Sequence, residues 1–179
     1  ARPTSANDCP TTTRRTRLLG TNYLEDALAE QTLSTITWDY NDGMESHTSD
    51  QTDKWQWMFR RAPGFFDVVA YTGDGTAGRT VSHNLGVAPE MIIVKNRTST
   101  AGIRNWMFYH KDLGGSDKYM YLNLSDSVKT APNVWVQPTE NVFTVDTYAE
   151  QNENTYPHIA YLFATVPGVS KVGSYTGNG

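Results

Sequence analysis

Cysteine is nearly absent from this chain: one residue, Cys9, in 179. An intrachain disulfide is thereby excluded, as are zinc sites built on two or four cysteines. Cys9 stands in the polar stretch ANDCPTTT with no helix or base close by in sequence, so nothing there would activate a thiol. Long apolar runs are missing too. None approaches the ~20 residues that a membrane-spanning helix needs, and the N-terminal residues lack the apolar stretch of a signal peptide. No membrane insertion is expected. Basic charge is scarce and scattered: the net charge is −4, and the one basic run is Arg14-Arg15-Thr16-Arg17. It reads as a solvated arm, and without a clustered basic face no nucleic-acid partner is expected.

Signatures of chemistry are equally thin. The histidines, His47, His83, His110 and His158, fall in four different segments. None of them forms an HxH or HxxxH pair on one face, so no metal centre is expected. There is no G-x-S-x-G elbow. Gly75, Gly78 and Gly86 fit neither a Walker A loop nor a dinucleotide fingerprint, so no cofactor is expected. Calcium in an Asp/Asn-rich turn such as 71–75 stays open, but no EF-hand ligand series exists. Glycoside hydrolysis needs two carboxylates roughly 5–10 Å apart around a cleft. Asp67, Asp74, Glu90, Asp112 and Asp146 are candidates, yet nothing in the sequence brings two of them together. The expectation is that the chain is not an enzyme.

Aromatic residues are what the chain does have: five Trp, ten Tyr and six Phe, 12% of the sequence, against a hydrophobic content of only 38%. Together with abundant Thr, Ser and Asn, this is the vocabulary of β-sheets joined by many loops. Residues 1–17 show no apolar period and read as an extended arm. Thr21 or Asn22 caps a short helix, with Leu24, Ala27, Leu28 and Gln31 at helical spacing. STITWDYNDG reads as a strand and turn.

From Trp55 onward the pattern is almost wholly β. WQWMFRR places Trp55, Trp57 and Phe59 on one face. Strands are expected at 65–71, 90–96, 103–110, 118–124, 133–137, 141–148 and 158–166, separated by turn phrases at 72–75, 113–116, 131–133 and 151–154. In NVFTVDTY, Phe143 and Val145 alternate with Val142, Thr144 and Asp146, which fixes the register. The fold class is all-β: an antiparallel β-sandwich of lectin-like or jelly-roll type, with an extended N-terminal arm and one short helix. A closed barrel is the alternative. The organisation is 1–54 as arm, helix and docking segment, 55–168 as the sandwich module, and 169–179 as the start of a second module or a closing strand.

Most aromatics, among them Trp106, Phe108, Tyr119, Tyr121, Trp135, Phe143, Tyr161 and Phe163, are expected to pack in the core or on sheet faces. A few exposed ones would form a sugar-stacking or interface patch. Trp135 with Gln137, and the stretch 148–156 with Tyr148, Asn152 and Tyr156, are the candidates for glycan or interface contacts.

FRRAPGFFDVVAYTGDGTAGRTVSHNLGVAPEMIIVKNR, NWMFYHKDLGG, YLNL and YLFATVPGVSKVGSYTGNG together resemble an all-β module of virion proteins of tailed phages, marine and cyanobacterial phages in particular. The resemblance spans about residues 57–179. It implies a tail-fibre-like or other structural protein located on the phage particle, and carries no catalytic residues over to this chain. On that reading the protein is a non-enzymatic structural or adhesion component. It assembles as a symmetric homo-oligomer, a trimer for example, with other virion proteins, and binds host-surface carbohydrate. The alternatives are a capsid decoration or scaffold protein without receptor binding and, less favoured, a polysaccharide depolymerase or a secreted lectin-type module. A depolymerase would show the short repeats of a β-helix, and none is present.

One phrase occurs twice. YTGDG begins at Tyr71 and YTGNG at Tyr175, 104 positions apart. The wider stretches DVVAYTGDG (67–75) and KVGSYTGNG (171–179) run in parallel. Each reads as a strand entering a turn, with Asp-Gly or Asn-Gly supplying positive φ in a tight hairpin. The expectation is that a second module begins at the second copy; the alternative is that the last strand pairs beside the first in one sheet.

Overall fold

A computed structural model describes residues 59–98 and 104–178, together with the backbone of three short strands nearer the N-terminus. Those three are β1 (Thr13–Arg14), β2 (Asn22–Glu25) and β3 (Thr32–Leu33), an antiparallel sheet in the order β1-β2-β3. This overturns the helix expected from Asn22. Tyr23 pairs with Thr32 in the sheet register, and aromatic and β-branched residues suit a pleated surface. A short isolated helix would carry the full cost of nucleation without a packed face to offset it. The rest of that expected helix, the strand expected near Trp38, and Trp55 and Trp57 lie outside the described residues.

The main body contains β4 (Phe66–Thr72), β5 (Arg79–Ser82), β6 (Met91–Asn96), β7 (Met107–His110), β8 (Lys118–Tyr121), β9 (Lys129–Thr130), β10 (Val142–Val145), α1 (Ala149–Asn152) and β11 (Pro157–Phe163). Six strands form one antiparallel sheet in the order β4-β11-β6-β7-β8-β9. The late strand β11 lies between two early ones. It pairs with β4 from Pro157↔Thr72 to Phe163↔Phe66, and with β6 from His158↔Asn96 to Phe163↔Met91. β5 and β10 pair separately, with Phe143 opposite Val81.

Alternation along the strands builds a core on each face of the large sheet. Ile92, Val94, Met107, Tyr109, Ala160 and Leu162 cluster with Val81, Phe143 and Val145 of the two-stranded sheet and with Leu85, Val134 and Trp135. On the opposite face, Phe66, Val68, Trp106, Ile159 and Tyr161 cluster under half-buried Phe65, Ile93 and Phe163. Phe59, outside any strand, packs edge-on to Phe163 at 5.7 Å between ring centres. The result is all-β and antiparallel, a sandwich whose sheets do not close into a barrel.

Four expectations change. Residues 133–137 form no strand: Asn133 sits in the left-handed region with φ 59°, and Trp135 N donates to the Ser116 carbonyl at 3.1 Å. The link 73–78 is not a hairpin turn, because β4 and β5 belong to different sheets; it crosses from one layer to the other, with the expected positive φ at Gly75 (68°). Residues 151–154, expected as a turn, instead run through the end of α1. Finally, 171–178 pair with no strand, and Tyr175 is 94% exposed, so the last segment does not close the sheet beside β4.

Candidate functional site

α1 is only one turn long, and a helix that short does not hold itself together. Side chains and backbone from distant parts of the chain fasten it. The Tyr71 O–H donates to the Gln151 carbonyl at 2.6 Å, and its ring stacks on His158 at 5.3 Å. Asn152 is fully buried: its Nδ2 donates to Asp74 Oδ1 (3.2 Å) and to the Thr76 carbonyl (2.9 Å), while its Oδ1 accepts from Asp74 N (3.0 Å). Gln151 Nε2 donates to the Val134 carbonyl at 2.9 Å. The Glu153 carboxylate, just past the helix, accepts from Arg104 Nη2 (2.8 Å), Arg104 Nε (3.1 Å) and Asn96 Nδ2 (2.7 Å).

The fastened helix positions Tyr148 and Glu150 beside β8. Tyr119 and Tyr121 are two residues apart on that strand, so they share a face. The rings of Tyr119 and Tyr121 lie edge to face at 5.4 Å, and Tyr148 tilts against Tyr119 at 6.0 Å. Lys129 of β9 reaches over Tyr121, its Nζ 5.8 Å from the ring centre, and is tied to Asp126 at 2.9 Å. Tyr119 is buried, whereas Tyr121, Tyr148 and Glu150 are half-buried.

Burial keeps the Tyr121 and Tyr148 phenols neutral. Burial is the first cause raising Tyr121 above the ordinary phenol range; the charge of Glu150 and hydrogen bonds to Tyr119 and Glu150 push the same way. Burial likewise raises Tyr148, followed by Tyr119, Asp146 and Glu150. The patch therefore offers half-exposed aromatic faces, neutral O–H groups, a carboxylate and an ammonium. That set suits a ligand with C–H faces and hydroxyls, and it contains no nucleophile activated by a base.

The five residues singled out from sequence divide. Trp135 is 1% exposed, packed against Tyr109 at 5.8 Å, so its ring cannot meet a ligand. Asn152 is buried and committed to residues 74 and 76, which likewise removes it from the surface. Gln137 is exposed and hydrogen-bonds Tyr109. Tyr156 is half-buried, and its carbonyl accepts from Gly73 N at 2.8 Å. Tyr148 alone enters the patch. Tyr119 and Tyr121 were assigned to sheet packing; the usable signal was the Tyr-x-Tyr alternation running into a strand end.

The candidate carboxylates for hydrolysis have local partners. Asp67 accepts from Arg61 Nε (2.5 Å) and from the backbone of Val68 and Asn84. Glu90 meets Lys111 at 3.0 Å and accepts from Thr165. The Asp112 carboxylate lies 4.0 Å from His110 Nδ1. His83 Nδ1 accepts from Leu85 N at 3.2 Å. Among the described residues, no group of three His, Cys, Asp or Glu is placed to hold a metal ion, and no helix is long and apolar enough to cross a membrane.

Fold and site together define an antiparallel all-β domain with a tyrosine–carboxylate patch on its surface. The chain belongs to the family described as Domain of unknown function (DUF7483), whose match covers residues 21–179. No curated protein and no solved structure matches it.

Proposed function

We propose that this domain is a non-enzymatic binding module that holds a saccharide against Tyr121 and Tyr148. The observation that carries the reading is the grouping of Tyr119, Tyr121, Tyr148 and Glu150 at the junction of β8 and α1. Aromatic faces accept the C–H side of a sugar ring, and the carboxylate and phenols take its hydroxyls. Local engagement of Asp67, Asp74 and Glu90 by Arg61, Asn152 and Lys111 argues against hydrolysis as the task. In the setting suggested by the resemblance to tailed-phage virion proteins, the module is an adhesion or structural part of the particle. It sits in an oligomer with other virion proteins and faces the carbohydrate of the host surface.

A glycan array probed with the wild-type chain and with Tyr121→Ala/Tyr148→Ala tests this. Retention on one or more glycans, weakened at least about tenfold in the double variant (about 1.4 kcal/mol), is the expected result. No retention by the wild type, or retention that the double variant keeps, sinks the reading and favours a scaffold or decoration role.

A further inference from the structure

The charges around the tyrosine patch do not balance. Lys129 is already answered, its ammonium lying 2.9 Å from the Asp126 carboxylate. Glu150 meets the Tyr121 O–H by hydrogen bond, and a neutral phenol leaves the carboxylate's charge in place. That charge is felt at Tyr148, as is the charge of buried Asp146. The cation that opposes Glu150 is Lys95. Lys95 is 1% exposed and its ammonium donates to the Arg104 carbonyl, so it is out of a ligand's reach. What the patch presents to solvent is negative charge beside two half-exposed rings.

The rings are set to take a cation. Tyr119 stands at 74° to Tyr121 and at 49° to Tyr148, with ring centres 5.4 Å and 6.0 Å away. Rings turned against one another form a corner, whereas coplanar rings would form a platform. Aromatic faces are electron-rich and attract a cation within about 6 Å of the ring centre, more strongly where water is partly excluded. The protein already uses this attraction: the Lys129 ammonium lies 5.8 Å from the Tyr121 centre. A carboxylate beside such faces adds a charge-assisted hydrogen bond. An acidic sugar, by contrast, would meet Glu150 and Asp146 as like charges.

We propose that the saccharide held at Tyr121 and Tyr148 is an amino sugar with a free, charged amine, whose ammonium lodges between these rings and the Glu150 carboxylate. The inference rests on the saccharide reading of the patch and adds the charge of the sugar. Lys129 then acts as a rival cation on Tyr121, so Glu150 and Lys129 have opposite effects on the ligand.

Calorimetric titration of the whole chain with two probes tests this: a glucosamine oligosaccharide and its fully N-acetylated form, which differ in the charge of the amine. The titrations are run at about pH 6, where a primary amine holds its proton. The free-amine form is expected to bind at least about tenfold more tightly. Glu150→Gln is expected to shrink that preference to about threefold or less, and Lys129→Gln to widen it. Thermal unfolding of both variants confirms that they are folded at the titration temperature. Equal or tighter binding of the N-acetylated form, or a preference that Glu150→Gln leaves intact, overturns the inference while the saccharide reading stands. Binding of neither probe, together with no retention on the glycan array, overturns both.

Discussion

A β-carbon added to Gly73 would stand 2.1 Å from the carbonyl oxygen of Glu153. The neighbours are backbone, and the hydrogen bonds Gly73 N to Tyr156 O (2.8 Å) and Thr155 N to Gly73 O (2.9 Å) hold both sides in place. Neither side can yield cheaply. Gly73→Ala is expected to destabilise the domain by about 2–4 kcal/mol, within the range of severe overpacking. Gly78 is the control: it has open space but φ +69°, so Gly78→Ala should cost only about 1–2 kcal/mol of left-handed strain. Urea midpoints with unchanged m-values check the difference.

Glu153 and Arg104 are each less than one-fifth exposed and form a two-pronged pair. Removing one partner leaves the other charge poorly solvated, which costs more than the pair contributes net. Glu153→Gln should therefore destabilise by about 1–3 kcal/mol. The double variant Glu153→Gln/Arg104→Met should lose less than the sum of the single changes. A double-mutant cycle measures this; strict additivity would mean the pair is not coupled.

Lys95 predicts a rise in stability with alkaline pH. It is a buried residue of β6, its ammonium donating to the Arg104 carbonyl and lying 5.8 Å from the Trp106 ring centre. Burial pushes its pKa down to about 8; Arg104 acts in the same direction and Glu150 opposes. Between that value and the ordinary lysine range, the unfolded chain binds the extra proton, so stability grows as pH rises. Tyr71, Tyr109, Tyr121 and Tyr148 act oppositely. Burial raises each of them, so above about pH 10 the unfolded tyrosines ionise first and stability falls. Lys95 alone should add about 2 kcal/mol between pH 8 and 10, an increase the tyrosines offset as pH nears 10, and above that stability declines. Lys95→Met should remove the climb and leave the decline, as read by denaturation at each pH.

Continuous apolar runs made β4, β6 and β11 legible, and period-two alternation made β10 so, because each carries three or more apolar residues. β5 escaped notice since Val81 is its only apolar side chain, held by pairing with β10 rather than by its own pattern. Residues 133–137 looked like a strand, yet Pro132 and Pro138 bracket them and Asn133 turns the chain, so Val134 and Trp135 are buried from a loop. α1 has no helical signal in sequence. It exists because Tyr71, Asn152 and Asp74 meet from positions almost eighty residues apart. The tyrosine patch depends on that same long-range fastening, so only Tyr148 was visible in advance.

Trp135 and Tyr148 separate packing from binding. Both were candidate ligand contacts, but Trp135 lies in the core among Tyr109, Val134 and neighbouring apolar residues, while Tyr148 is half-buried at the patch. Trp135→Phe keeps an aromatic ring and removes volume, and no protein group accepts from the Trp135 Nε1 that is lost. A loss of about 1–3 kcal/mol in stability is expected, with glycan retention preserved under conditions where the variant is folded. Tyr148→Ala deletes a ring that is partly in water, so its cost in stability should be smaller, about 1 kcal/mol, while its effect on retention should be the larger of the two. Retention lost in Trp135→Phe while Tyr148→Ala keeps it would reverse the assignment and move the ligand away from the β8–α1 junction.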